Sequence, residues 1–408
     1  MNDNSLNSIL NCTPVIDCEF TVKKFNNNSS LLTLQNTSRY FKVSDHLVFI
    51  LGLIDGKRSI KTITDQFNLK FTLHLSYDEV FHIIEDKLIR SIQKANSTEK
   101  EIPSYLKLST IVINKKQVHF LSSIFYKLFN KKVAIIGTLI PLILLSFFSY
   151  KYFDELQLSL DSYPIHFIYY FILIMMFSTI FHEIGHAAAC RAMGTDHGGI
   201  GIGFYLLSPV MFADVTAAWE LPIKERLIVN LGGIYFEILF CSLLIFLFIL
   251  TGNLFFINTC LIMAIMLLYN LNPFFRTDGY WVLSDYLDIS NLRQQSNLRI
   301  RNLIYKIKIL EKIDYNFKDW FLIFYSLISY GVIAAFLYYV IFYDIQSLIY
   351  LPQNICLLIK NILTNEIHSI LNLLERFGAI MIPLFFYYLL FKRILIPFSK
   401  KAKLKLSA

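Results

Sequence analysis

His182, Glu183 and His186 bring together the residue types of a metal-dependent hydrolase at the spacing of one helix face. Residues four apart on an α-helix are separated by about 40° around the axis, so both imidazoles leave the same side. Glu183 stands beside them, within reach of a water held at whatever the imidazoles bind. H-E-x-x-H on a helix is the pattern in which two histidines ligate zinc and the carboxylate serves as general base. One Zn2+ ion needs a third protein ligand and a fourth position open to water. The stretch YNLNPFFRTDGYW offers that ligand: Asn270 and Pro273 end a helix, and Asp278 with Gly279 turns the chain back at a comparable depth.

Two further acids compete for roles. Glu237, in NLGGIYFEILF, is a rival ligand, or an outer partner that polarises a ligand histidine or pairs with Asn270 or Arg276. Asp214, in SPVMFADVTAAW, suits a local cap as well as it suits a substrate contact. His197 reads as a histidine of a free loop. The bland use of His182, Glu183 and His186 is a hydrogen-bonded packing knot between helices. An ionisable group inside an apolar span costs a few kcal/mol, however, which favours chemistry for the complete pattern.

The surroundings of these residues are apolar over long stretches. Of 408 residues, 55% are hydrophobic and 17% charged, against about 25% charged in soluble domains. Six segments approach the roughly 20 apolar residues that a span requires: about 133–150, 165–190, 228–250, 254–272, 320–343 and 377–391. Segment 345–363, interrupted by Pro352, Gln353 and Asn354, is placed at the interface. The net charge of +8 lies beside the apolar runs, which points to topology and not to nucleic acid. Eight Lys/Arg fall in 276–318 and six in 392–408, whereas 151–164 holds one lysine against three acids. Six spans with both termini cytosolic, in the cell (inner) membrane, satisfy the positive-inside rule. Arg191 then marks the cytosolic boundary, and His182 lies roughly 13 Å deeper at 1.5 Å per residue.

The predicted architecture is therefore mainly α, a polytopic membrane helix bundle over 132–391 with a small cytosolic winged-helix-like domain at 38–100. Residues 1–37 read as a flexible polar tail, 101–131 as a connector and 392–408 as a basic cytosolic tail. In 38–95, RYFKVS reads as a strand, DHLVFILGLI as a helix, IDGK as a turn and SIKTITDQF as a second helix. A third helix opens with the capping box of Ser76 and Glu79. The glycine-rich run GGIGIGF predicts a re-entrant or strand-like element over the site, whose open edge could take substrate as an added strand. The six cysteines have no close paired spacing and read as reduced packing residues.

The pairing of FHEIGH with NLNPFFRTDG resembles the site-2 protease family of intramembrane zinc metalloproteases, which reads H-E-x-x-H in one span and N-x-x-P-x-x-x-L-D-G in a later one. Asn270, Pro273, Asp278 and Gly279 match, and Thr277 replaces the usual leucine. The resemblance implies zinc held by His182, His186 and Asp278, with Glu183 as catalytic base. The family's Gly-Pro-x-x-Asn is absent; Gly232, Gly233 and Glu237 stand nearby. The wider text PVMFADVTAAWELPIKERLIVNLGG and FFRTDGYWVLSDYLDISNLR resembles the bacterial peptide zinc metalloproteases, which often accompany peptide-export or modified-peptide systems. YFKVSDHLVFILGLIDGKRSIKTITDQF resembles a PqqD-like element that binds leader peptides.

The expected partners are a lipid bilayer, a peptide or membrane-protein substrate, a leader peptide on the N-terminal domain, and export or maturation proteins. Nucleic acid is not expected, because nine Lys/Arg against seven Asp/Glu in 38–95 make a weak phosphate footprint. A purely structural dock is the other use of that domain. For the whole protein, two alternatives stay open: a regulatory protease that releases a membrane-tethered transcription regulator, and a non-catalytic transporter or immunity protein.

Overall fold

The computed structural model describes residues 10–391 apart from 17, 27–28, 35–39, 72–73, 91–105, 160–162, 164–165, 207 and 365–369. The basic tail expected at 392–408, the first nine residues and the opening of the expected connector lie outside the described residues. The chain divides into two compact units. One is Met1–Ser104 with Gly194–Gly198 and Asp214–Pro222; the other is Tyr105–Met193 with Gly199–Ala213 and Ile223–Ala408.

In the first unit, strands β1 (Phe20–Asn26), β2 (Ser29–Leu34) and β3 (Tyr40–Ser44) form an antiparallel sheet in that order. The flexible tail expected over 1–37 is thereby corrected, since two strands lie within it. Leu31, Leu32 and Leu34 are buried, and that burial holds a segment whose polar letters suggested otherwise. Helices α1 (Asp45–Leu53), α2 (Ile60–Phe71) and α3 (Tyr77–His82, continued by a wider-pitched turn over Ile83–Ile89) follow. The strand at RYFKVS and the three helices are as expected. The sheet is larger than expected, and all its strands precede the helices.

Local signals set these boundaries. Ser44 caps α1 through the Leu47 amide, and Ser76 with Glu79 closes the predicted capping box on α3. In the IDGK turn, Asp55 Oδ1 accepts from the amides of Lys57 and Arg58 at 3.0 and 2.9 Å. Leu32, Leu34, Ile50, Ile63, Phe67, Val80 and Ile84 fill the core between sheet and helices. Lys23 of β1 pairs with Glu220 at 2.7 Å, within the same unit.

The second unit opens with β4 (Lys107–Ile113) and α4 (Lys115–Phe125) in place of the expected connector. Then come α5 (Lys131–Lys151), α6 (Phe153–Ser159) and α7 (His166–Ala192). A hairpin of β5 (Ile200–Tyr205) and β6 (Ser208–Ala213) realises the glycine-rich run as strand. It joins β4 in an antiparallel sheet ordered β4-β5-β6, with Ile200 opposite Ala213 and Tyr205 opposite Ser208. Next are α8 (Ile223–Thr251), α9 (Phe255–Asn270), α10 (Asp278–Tyr286), α11 (Leu292–Lys308) and α12 (Phe317–Phe342). The described part ends with α13 (Ile345–Ile349), α14 (Leu351–Leu363) and α15 (Ile370–Leu390).

The chain is thus mainly helical. Among the described residues four helices, not six, are long and apolar enough to cross a membrane: α5, α7, α8 and α12. The expected fourth span is the 16-residue α9, which rises about 24 Å against a hydrocarbon core of about 30 Å. The expected sixth lies within α15, whose 21 residues include Glu375 and Arg376. Segment 345–363 is broken at Tyr350 into α13 and α14, with Pro352 in the first turn of the latter. Ile136, Ile143 and Phe147 of α5 and Leu173 and Phe177 of α7 face outward. Apolar side chains turned away from the core are what a surrounding of lipid accommodates. All six cysteines are free.

Candidate metal centre

Helix α7 carries His182, Glu183 and His186 at 8%, 7% and 7% exposure, so all three are buried. α8 is pressed against this face at closest range. Gly185 and Gly232 meet backbone to backbone, and a β-carbon on either would collide with the other's carbonyl oxygen. Small residues at such a crossing let two helices approach where larger ones would hold them apart. The next residue, Gly233, lies under the imidazoles, and a β-carbon there would run into Nε2 of both His182 and His186. The glycine pair in NLGGIYFEILF leaves a space at the two nitrogens.

α8 also orients each ring. His186 Nδ1 donates to the Val229 carbonyl at 2.8 Å, so in the neutral ring the lone pair falls on Nε2. His182 Nδ1 faces Glu237 Oε2 at 3.4 Å, which turns its Nε2 the same way. Asp278, the first residue of α10, completes the group. Its Oδ2 lies 3.1 Å from His182 Nε2 and its Oδ1 lies 3.5 Å from His186 Nε2. The two Nε2 atoms are 3.2 Å apart.

With both imidazoles neutral and carrying their hydrogen on Nδ1, three electron-pair donors therefore converge, and Asp278 Oδ2 is buried without a hydrogen-bond partner. Such an arrangement is repulsive unless a cation lies among the donors. Tetrahedral bonds of 2.0–2.1 Å to N and O ligands place the ligand atoms about 3.3 Å apart. The observed separations of 3.1, 3.2 and 3.5 Å fit that figure. Among the described residues, His182, His186 and Asp278 are the group able to hold a metal ion.

The loop that presents Asp278 is tied down from several sides. Tyr325 donates to the Pro273 carbonyl at 2.7 Å, Thr277 to the Asn272 carbonyl at 2.9 Å, and the Arg276 amide to Tyr205 Oη at 3.0 Å. The Asp-Gly pair is not a reverse turn as expected. Thr277 is the extended residue before α10, and Asp278 occupies its first turn, where a carboxylate suits the helix dipole. Glu183, buried on the same stretch of α7, has the backbone of Ala213 at the end of β6 as a neighbour.

The other expected residues take ordinary places. Asn270 ends α9, and among the described residues no side-chain hydrogen bond joins it to His182, His186 or Asp278. Glu237 sits behind His182 and outside the three-residue group. Asp214 Oδ1 accepts from the amide and hydroxyl of Thr216, a local turn contact. His197 is buried, with Nδ1 donating to the Gly198 carbonyl at 2.9 Å, and is not a loop histidine in solvent. Sequence reasoning missed the Val229 carbonyl, the Ala213 backbone and the clearance at Gly233. Only the last had a signal, the glycine four residues, about one turn, before Glu237 in GGIYFE.

No family model matches the chain, and no solved structure matches it. The chain is 27% identical over 150 residues to a Bacillus subtilis (strain 168) protein named "Putative peptide zinc metalloprotease protein YydH". The similarity covers 35% of this chain and 58% of that protein.

Proposed function

We propose that the chain is an intramembrane zinc metalloprotease of the site-2 type that hydrolyses a peptide bond in a precursor or membrane-tethered peptide. The observation that carries this reading is the convergence of His182 Nε2, His186 Nε2 and an Asp278 carboxylate at the separations of a metal's ligand atoms, beside Glu183. The similarity to a protein named as a peptide zinc metalloprotease supports the same class.

His182 and His186 through Nε2, and Asp278 through its carboxylate, would hold one Zn2+. Zinc held there supplies Lewis acidity, which polarises a scissile carbonyl and makes water nucleophilic near neutral pH. Glu183 is the general base: it takes the proton from the attacking water and returns it to the leaving amine. Glu237 and Val229 keep the Nδ1 positions occupied, so that both rings present Nε2. A substrate helix hides its amides in its own hydrogen bonds and must open locally before attack. The free edge of β6, whose partner in the sheet is β5, could then take the opened segment as an added strand.

The N-terminal sheet-and-helix unit is assigned leader-peptide capture, as its resemblance to PqqD-like elements implies. The protein is placed in the cell membrane with cytosolic termini. The decisive measurement compares the purified protein with Glu183→Gln in detergent. Cleavage of a peptide that the parent cuts should fall about 10³-fold, within the range for loss of general acid–base catalysis, with zinc content unchanged. Equal cleavage by the two proteins overturns the assignment of Glu183, and a zinc-free parent overturns the class.

A further inference from the structure

Helix α8 carries a polar stripe at spacings of four, three and four: Arg226, Asn230, Gly233 and Glu237. That is the repeat of one helix face. Its second half serves the imidazoles, as described above. Its first half faces α10, where Asp285 lies seven residues after Asp278, and two full turns leave these two acids on the same side of α10. Arg226 Nε is 3.1 Å from Asp285 Oδ1, Asn230 Nδ2 donates to Asp285 Oδ2 at 2.7 Å, and Asp288 Oδ1 lies 3.7 Å from the guanidinium. Arg226 is 2% exposed and Asp285 8%, so the pair is withdrawn from solvent.

We propose, resting on the metal-site reading above, that the Arg226–Asp285 pair with Asn230 is a register clamp that aims Asp278 at His182 and His186. A buried ion pair adds little net stability over a well-packed apolar pair, but leaving either charge unpaired is strongly unfavourable. Sliding α10 along α8 by one turn, about 5.4 Å, would separate Arg226 from Asp285. The same slip would carry Asp278 by an equal distance away from the Nε2 atoms. The clamp and the ligand lie on one face of one short helix, so a single register satisfies both. Arg226 and Asp285 are thus positioning residues, acting through Asp278.

The test reads register and metal separately, on the full chain in detergent. Asp278→Cys and His186→Cys are combined, and a short bis-thiosulfonate cross-linker is applied with and without Arg226→Met. The clamp predicts that the cross-linked fraction falls several-fold with Arg226→Met and returns with Arg226→Lys. A fraction unchanged by Arg226→Met overturns it. In parallel, on the unlabelled chain, Arg226→Met should weaken zinc affinity about tenfold or more, as loss of a ligand's supporting partner does. Combining Arg226→Met with Asp285→Leu leaves neither charge unpaired, so the melting temperature of the metal-free double variant should stay near the parent's while the loss of zinc affinity persists. If the parent binds no zinc but cross-linking still depends on Arg226, the clamp stands and the metal reading falls.

Discussion

The two units bury different kinds of side chain. The core of the N-terminal unit is apolar, with Leu32, Ile63, Phe67 and Val80 at its centre, and among the described residues the unit's buried polar side chains are Ser30, Thr64 and His197. The helical unit has apolar cores of its own, yet beside them it buries His182, Glu183, His186, Arg226, Glu237 and Asp285. Apolar burial stabilises without choosing a register, since one aliphatic contact can replace another. Buried ionisable groups do the opposite. Each tolerates few neighbours, and together they leave one arrangement of α7, α8 and α10 open.

Substitutions in the two regions should therefore fail in different ways. Phe67→Ala, at a site 2% exposed, should destabilise the N-terminal unit by about 3–5 kcal/mol. Hydrogen exchange on the full chain should show α2 losing protection while zinc content holds; a matching loss of zinc would erase the contrast. Gly233→Ala should reverse the pattern. Alanine favours a helix over glycine by about 1 kcal/mol, so α8 is not weakened, but the new β-carbon meets both Nε2 atoms. Zinc affinity, read by chelator competition, should drop at least about tenfold, comparable to loss of a supporting group.

Glu237→Gln sharpens the comparison within the site. It keeps shape and removes the charge behind His182 Nδ1, and affinity should weaken by about tenfold, the low end for such partners. An unchanged affinity would assign Glu237 to packing. The smallest effect is expected at Ser76→Ala. Loss of that cap should cost about 1 kcal/mol, visible in the protection of α3 and nowhere in the metal.

Local spacing made part of this legible in the sequence. His182 and His186 announce their shared face because four residues nearly complete a turn. Asp278 is marked by the asparagine, proline and glycine around it. The capping box at Ser76 and the turn at Asp55 are likewise signals contained within four residues. What escaped depends on partners distant in sequence. Arg226 reads as an ordinary charge opening a helix in PIKERL until Asp285 is seen against it. Strands β1 and β2 escaped for another reason: asparagines and lysines dominate FTVKKFNNNSS by composition, while the buried leucines of SSLLTL declare themselves only through the pairing of Leu32 with Val22 and Phe41. The count of six spans came from apolar length and the placement of basic residues, and α9 stops at Asn270 before it is long enough.

The contact of Gly185 with Gly232 has a bearing on traffic. Side chains can swing aside to admit a visitor, but two main chains in direct touch have nothing to swing. The flank of the histidines where α7 meets α8 is therefore a sealed wall, and under the proposed function a polypeptide substrate would arrive from the flank bordered by β6 and the loop before α10.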